Sequence, residues 1–489
     1  MYKQVLKILW SIVLIYTFFY TFAKVLLSWI ITNFHISIDS LLFTVKSPKI
    51  NANTSVIYQA IRQCLPKLMV IFIGLCIVVF IISKLEKNYN KMAIIFKFVF
   101  LIILSVNTFT TLRSFNQELD IQNYIYRRRE KTTIYEDYYV SPNQVKINKT
   151  TEQTHNLIYI YLESMESTYD YVYTDDYIDL TPNLSKLAAD NVSFSDSKEK
   201  GGFYSPTGTD WTMAGLMAST SGIPFSFPVE GNDMNLYQNF APNLITLGDI
   251  LEKEGYSQEF ICGSDSEYGG RKTFFHSHGN FKIFDFFSAY PGGFEDYNIG
   301  WWGIEDSKLY DYAKKELLTL SKNDEPFNLT LLTVDTHFGD GVVDGYLCDR
   351  CKNTYNDRYA NVISCADSQI MEFIEWIKQQ DFYLNTTIVI TGDHPFMGKD
   401  ITNDNENKTV YNCFINPKQC YVNTKERQFT TFDIFPTTLA SLGFSIEGDK
   451  LGLGTNLFSS KETLCETIGL ENINKELSKY SQYYIDNFE

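Results

Sequence analysis

The stretch Ile388-Val389-Ile390-Thr391-Gly392-Asp393-His394 decides how this chain is read. A β-branched run ends abruptly in an aspartate and a histidine. Buried parallel strands read as continuous apolar runs, and open α/β sheets carry their working groups at the carboxyl ends of the strands. The Asp-His pair is therefore a candidate pair of metal ligands, although the dipeptide alone is common. Two further runs have the same form. Leu157-Ile158-Tyr159-Ile160-Tyr161-Leu162 ends in Glu163-Ser164, and Leu329-Thr330-Leu331-Leu332-Thr333-Val334 ends in Asp335-Thr336-His337. Three strands that each end in a hard or borderline ligand point to one metal centre.

Around these runs, strands alternate with amphipathic helices from Asn156 onward. Strands are expected at 157–162, 258–262, 328–334 and 386–391, with helices over 243–254 and 360–378. That alternation predicts an α/β domain, a mostly parallel sheet flanked by helices. Residues 113–155 are polar and Tyr-rich, with a turn at Pro142-Asn143, and read as a linker. The tail from about Asn472 reads as peripheral.

The amino-terminal part has a different character. Ile8 to Ile31, Leu68 to Ile82 and Ile94 to Leu112 are apolar runs broken by few charges, Lys24 and Lys97 among them. A hydrocarbon core needs roughly 20 helical residues, and Lys67 and Lys84 flank the shortest run where they can snorkel. A cleaved signal peptide accounts for one such segment, not three. The expected organisation is a transmembrane domain of about three helices at 1–112, a linker at 113–155 and a catalytic domain at 156–489. Lys3, Lys7, Lys84, Lys87 and Lys91 favour a cytoplasmic amino terminus and second loop, although Lys46, Lys49, Arg62 and Lys67 in the first loop weaken that bias. With three spans, the catalytic domain then lies outside the cytoplasm.

The cysteines fit an oxidising compartment: Cys348-Asp349-Arg350-Cys351 has no second CxxC and reads as a local disulfide rather than a zinc site. A formal net charge of −16 excludes nucleic acid as the expected partner. The basic run Arg127-Arg128-Arg129 with Lys131 suits anionic lipid headgroups as well as a plain solvated face.

A transferase centre also needs a nucleophile. The loop Gly201-Gly202-Phe203-Tyr204-Ser205-Pro206-Thr207-Gly208-Thr209-Asp210-Trp211-Thr212 supplies hydroxyls just before the helical run Met213–Ala218. A hydroxyl at a helix amino terminus, and a phosphate attached to it, feels the positive end of the dipole. The same residues also suit an ordinary helix cap.

Taken together, 156–164, Leu180-Thr181-Pro182-Asn183-Leu184, the Thr-Gly-Thr-Asp-Trp-Thr-Met-Ala-Gly segment at 207–215 and Gly222-Ile223-Pro224 resemble the alkaline phosphatase and sulfatase superfamily. Within it they are most similar to the phosphoglycerol transferases of periplasmic glucans, relatives of the lipoteichoic acid synthases. Thr333–His337 with Gly339-Asp340-Gly341 is similar to the same group. The resemblance spans roughly 156–450. It implies Glu163, Asp393 and His394 as metal ligands, and Thr209 as nucleophile and fourth ligand. Thr209 is preferred over Thr207 and Thr212 by its distance to Gly222-Ile223-Pro224, with Thr212 the runner-up. It further implies His337 at the transferred group, and Arg271 and Asp265 as substrate-binding residues. One divalent ion is implied, manganese first, with zinc or magnesium as alternatives.

The synthases carry a histidine where Cys262 stands and a tryptophan near Gly269, so the donor pocket is not copied intact. The implied reaction moves phosphoglycerol from a phospholipid, phosphatidylglycerol, to a glycan hydroxyl at a bacterial cytoplasmic (inner) membrane, with the multi-pass protein's catalytic domain on the outer side. Phosphoethanolamine transfer is the rival by the same chemistry. A sulfatase lacks support because Cys64-Leu65-Pro66-Lys67-Leu68 misses the required arginine, and a non-catalytic metal-binding membrane protein is the rival of another class. His276-Ser277-His278 and Trp301-Trp302-Gly303 are weaker candidates for substrate contact.

Overall fold

The computed structural model describes residues 2–34, 54–119, 121–150, 155–170, 172–173, 177–226, 240–292, 303–337, 341, 355, 357–397, 408–419 and 423–488. The chain divides into two compact units, one of residues 1–41 and 52–126, the other of 42–51 and 127–489. The first holds helices α1 (Tyr2–Phe34), α2 (Thr54–Asn88) and α3 (Asn90–Glu118). Each is long and apolar enough to cross a membrane, over 7–31, 60–88 and 91–118.

The second unit is built on a six-stranded sheet. Its strands are β1 (Asn156–Leu162), β2 (Ser257–Cys262), β3 (Lys282–Phe284), β4 (Phe327–Leu332), β5 (Thr386–Gly392) and β6 (Asn412–Ile415), in the order β3-β2-β4-β1-β5-β6. All pairs are parallel except β5 with β6, which are antiparallel. β1 lies at the centre, pairing Tyr161 with Leu332 on one side and with Thr391 on the other. The alternation of a strand sorts its side chains between two cores. Leu157, Tyr159 and Tyr161 join one core; Ile158, Ile160 and Leu162 join the other. Both faces are covered, which is why β1 and β5 read as unbroken apolar runs.

On one face lie α6 (Thr212–Ser221) and the helix Ile434–Ser441, packed through Met213, Leu216, Ile434 and Leu439. On the other lie α9 (Asp306–Leu320) and α10 (Arg358–Lys378), through Leu309, Leu317, Ile363 and Ile370. Elsewhere in this unit lie α4 (Ile134–Tyr138), α5 (Pro182–Asp190), α7 (Leu247–Lys253) and α8 (Arg271–Ser277).

Two expectations are corrected. The stretch 113–155 is not a featureless linker: α3 runs to Glu118, the unit boundary falls near Arg127, and Ile134 and Tyr135 are buried. The strand Ile147–Lys149 also pairs with Phe444–Ile446. The tail is not peripheral either, since Ile473, Leu477, Tyr484 and Phe488 are buried. Tyr135 stacks on Tyr483 at 6.2 Å and meets Tyr484 and Phe488 edge-on, so the two segments close on one another. Trp301, Trp302, Asp340, Cys348 and Cys351 lie outside the described residues. Cys365 is disulfide-bonded, whereas Cys262, Cys413 and Cys465 are free buried thiols.

Candidate active site

The parallel register lines up the ends of β1 and β5, with Leu162 opposite Gly392. The next residues on each strand are Glu163 on one and Asp393-His394 on the other. One ligand atom from each of these three side chains falls within 4.8 Å of the other two, and all three are buried. His394 Nε2 stands 3.5 Å from Glu163 Oε1 and 3.4 Å from Asp393 Oδ2. His394 Nδ1–H donates to the Pro395 carbonyl at 2.7 Å, which leaves Nε2 turned toward the carboxylates.

Burial works against every charge here, and the net shifts follow from who faces whom. Burial alone would raise Glu163, but the bond to His394 and the positive charges of His337 and His394 outweigh it and hold the carboxyl at about 2. Burial and the Glu163 charge push Asp393 up to about 7. Burial opposes a proton on His394, yet the two carboxylates carry it up to about 10. Two carboxylates confined with one imidazole are poised for a divalent cation. Asp393 Oδ2 supports this directly, being buried with no hydrogen bond among the described residues. An oxygen, oxygen, nitrogen donor set fits manganese, zinc or magnesium.

Residues that were not singled out in the sequence hold the ligands in place. Ser164 sits in the left-handed region at φ 52°, costly for a non-glycine residue. Its backbone N–H donates to Asp393 Oδ1 at 2.8 Å and its hydroxyl to Glu163 Oε1 at 2.8 Å, so one residue ties both carboxylates. The Glu163 N–H donates to Thr333 Oγ1 at 2.9 Å, and the Thr336 hydroxyl donates to the Glu163 carbonyl. Glu166 Oε1 accepts from the Phe396 N–H at 2.9 Å and pairs with Lys408 at 3.2 Å, anchoring the loop after His394.

Thr212 brings a second hydroxyl to the triad. Its Oγ1 is 3.3 Å from His394 Nε2 and 3.4 Å from Glu163 Oε2. Thr212 opens α6, after an extended Trp211 that provides no side-chain cap. Thr209, the expected nucleophile and ligand, is turned away. Gly208, at φ 81°, makes a tight turn in which the Thr209 hydroxyl donates to the Pro206 carbonyl at 2.8 Å. Its other hydroxyl neighbour is Thr431, at 3.5 Å. The helix can lie this close to β5 because position 215 is glycine: a Cβ there would stand 2.0 Å from the Asp393 carbonyl oxygen.

His337 is half-buried after β4 and near enough to Glu163 for its charge to be felt. Arg271 is buried at the start of α8, past the end of β2, where its Nη2 donates to the Asp265 carbonyl at 2.7 Å. Its Nε has no partner among the described residues, leaving a buried donor for an anionic group. Burial raises the Asp265 carboxyl, which accepts from the Glu267 N–H at 2.9 Å. His278 is spent structurally, between Asp249 at 3.0 Å and the Phe240 carbonyl at 2.6 Å.

A carboxylate and imidazole cluster thus stands at the carboxyl edge of a mostly parallel sheet, with a threonine-bearing helix terminus against it, in an α/β domain. Residues 155–444 match the Sulfatase family, and the chain belongs to it. Phosphoglycerol transferase I of Citrobacter koseri is 34% identical over 260 residues, covering 53% of this chain and 32% of the relative. Phosphoglycerol transferase I of Escherichia coli strain SMS-3-5 is 31% identical over 325 residues, covering 65% of this chain and 38% of the relative. The chain thus spans about a third of the length of these curated relatives. Among solved structures, the lipoteichoic acid synthase LtaP from Listeria monocytogenes aligns with TM-score 0.48 and 19% identity, over 67% of this chain and 81% of the other. A Vibrio parahaemolyticus protein of the alkaline phosphatase superfamily aligns with TM-score 0.48 and 20% identity, over 69% and 77%.

Proposed function

We propose that this protein transfers a phosphoglycerol group from phosphatidylglycerol to a glycan hydroxyl, with Thr212 as the covalent carrier. The observation that carries the reading is the Thr212 hydroxyl, held at a helix amino terminus within 3.4 Å of both His394 and Glu163. The curated relatives, named as phosphoglycerol transferases, supply the group to be moved.

Glu163, Asp393 and His394, with the Thr212 hydroxyl, would hold the divalent ion, manganese before zinc or magnesium. When bound, that ion supplies charge neutralisation at the phosphoryl oxygens and acidifies the hydroxyl. Thr212 Oγ1, its proton released to solvent, attacks phosphorus, forming the Oγ1–P bond as the P–O bond to diacylglycerol breaks. The first backbone N–H groups of α6 have no partner within the helix and face the negative charge that builds on phosphorus-bound oxygen. His337 protonates the departing diacylglycerol oxygen, and Arg271 orients the phosphate from the side. In the second step an acceptor hydroxyl gives its proton to His337, left as a base by the first step, and attacks phosphorus in line as the Thr212 Oγ1–P bond breaks and Oγ1 regains a proton from solvent. Asp265 contributes at the headgroup end.

The reading places the catalytic domain, from about residue 156, on the outer side of a bacterial cytoplasmic membrane, anchored by three spans. The cytoplasmic-side lysines and the disulfide at Cys365 support that side. The test is diacylglycerol release by the purified full chain in manganese, with phosphatidylglycerol, phosphatidylethanolamine and an aryl sulfate supplied in turn. Release from phosphatidylglycerol is the expected result. Turnover of the aryl sulfate alone would overturn the reading.

A further inference from the structure

The membrane helices carry one polar strip. Tyr16, Tyr20 and Lys24, spaced four apart on α1, face Asn107, Thr108 and Thr111 of α3. The Tyr20 hydroxyl lies 2.6 Å from Asn107 Oδ1 and 2.8 Å from Thr111 Oγ1. Lys24 Nζ donates to Asn107 Oδ1 at 2.9 Å. Lys24 stands inside the apolar span 7–31, seven residues from its end, or about 10 Å at the rise of an α-helix.

A charge in that position calls for a counter-charge. Lys97, within the span of α3, has one in Glu86. Lys24 has none among the described residues. The acidic side chains of the described membrane helices are Glu86, taken by Lys97, and Glu118, which accepts from Ser114 at 2.8 Å. Asn107 offers Lys24 only an amide dipole. With Oδ1 occupied by Lys24 and Tyr20, the Asn107 Nδ2 group makes no hydrogen bond among the described residues. The ammonium keeps two N–H groups beyond the one given to Asn107. Lys24 is half-exposed on the helix surface, where lipid reaches it.

We propose that Lys24 and the Asn107 amide bind the phosphate of an anionic phospholipid, in the leaflet toward which the carboxyl end of α1 points. Within reach of a snorkelling lysine at that depth, the abundant anion is a lipid phosphate. A zwitterionic lipid brings its own cation to the same phosphate and so competes poorly. The Tyr20 hydroxyl, itself placed against Thr111 Oγ1, fixes the Asn107 side chain from below. The inference is independent of the transfer reaction, since a lipid is retained here whether or not it is the donor.

The experiment is native mass spectrometry of the full chain in mild detergent, offered equal phosphatidylglycerol and phosphatidylcholine of the same chain length. Wild type should retain phosphatidylglycerol over phosphatidylcholine by roughly tenfold, the worth of one charge-assisted contact. Lys24→Arg should keep that preference. Lys24→Gln, which preserves a hydrogen bond to Asn107 and hence the helix contact, should abolish it. Equal retention of the two lipids by wild type, or an unchanged preference in Lys24→Gln, would overturn the proposal. Diacylglycerol release measured on the same samples separates this outcome from the fate of the transferase reading.

Discussion

Ser164 should govern how tightly the centre binds its ion. Its hydroxyl holds Glu163 Oε1 and its backbone N–H holds Asp393 Oδ1, each at 2.8 Å. Replacing it with alanine removes only the first of these bonds. A hydrogen bond to a carboxylate contributes about 1.5–3 kcal/mol, and partners of metal ligands typically set 10- to 100-fold in affinity. Ser164→Ala should therefore weaken manganese binding roughly 10- to 100-fold. Ser164→Gly should weaken it equally, but the metal-free protein should be the more stable of the two variants. Glycine accepts φ 52° without penalty, whereas an L-residue there costs on the order of 1 kcal/mol. Titration calorimetry with manganese on wild type and both variants, with melting of the metal-free forms, separates the two effects. Manganese affinity within twofold of wild type in both variants would refute the argument.

Further outcomes follow from the same geometry. Gly215→Ala should cost manganese affinity and turnover together, because its Cβ must move off the Asp393 carbonyl, 2.0 Å away; a variant with wild-type affinity would show that α6 does not press on β5. His337→Gln should lower lipid turnover by about 10²- to 10⁴-fold while manganese affinity moves less than tenfold, checked by kinetics and calorimetry in parallel. The metal-free site also has a definite pH response. Asp393 at about 7 and His394 at about 10 are raised, so the folded state holds protons that the unfolded chain has lost, and their stabilisation fades as pH rises through those values. Glu163, held at about 2, acts oppositely, and its stabilisation is lost only as pH falls below the usual carboxylate range. Metal binding needs His394 and Asp393 deprotonated, so the manganese-induced rise in melting temperature should grow from pH 6 to pH 9; a rise independent of pH would contradict these assignments.

The sheet and the triad were legible because they rest on local pattern. β1, β4 and β5 are buried on both faces, so each appears as an apolar run, and Glu163, Asp393 and His394 are the next residues after their strands. Thr209 was expected as the nucleophile, and the proposal of Thr212 in its place turns on features equally local. Thr209, Asp210, Trp211 and Thr212 are all acceptable at a helix start, and only the left-handed turn at Gly208 and the extended Trp211 decide that the helix opens at Thr212. Ser164 was invisible, since a serine with positive φ carries no signal in composition. The Tyr-rich segment around Tyr135 and the carboxyl-terminal tail seemed peripheral because each is polar alone; their aromatic contact joins residues more than 340 positions apart.

The central claim is that Thr212 carries the transferred group. Peptide mass spectrometry of the full chain, quenched after incubation with phosphatidylglycerol and manganese, tests it most directly, with Thr212→Ala and Thr209→Ala alongside. The account predicts a glycerophosphate adduct on Thr212 in wild type and in Thr209→Ala, and none in Thr212→Ala. An adduct on Thr209, or one that persists in Thr212→Ala, would contradict it.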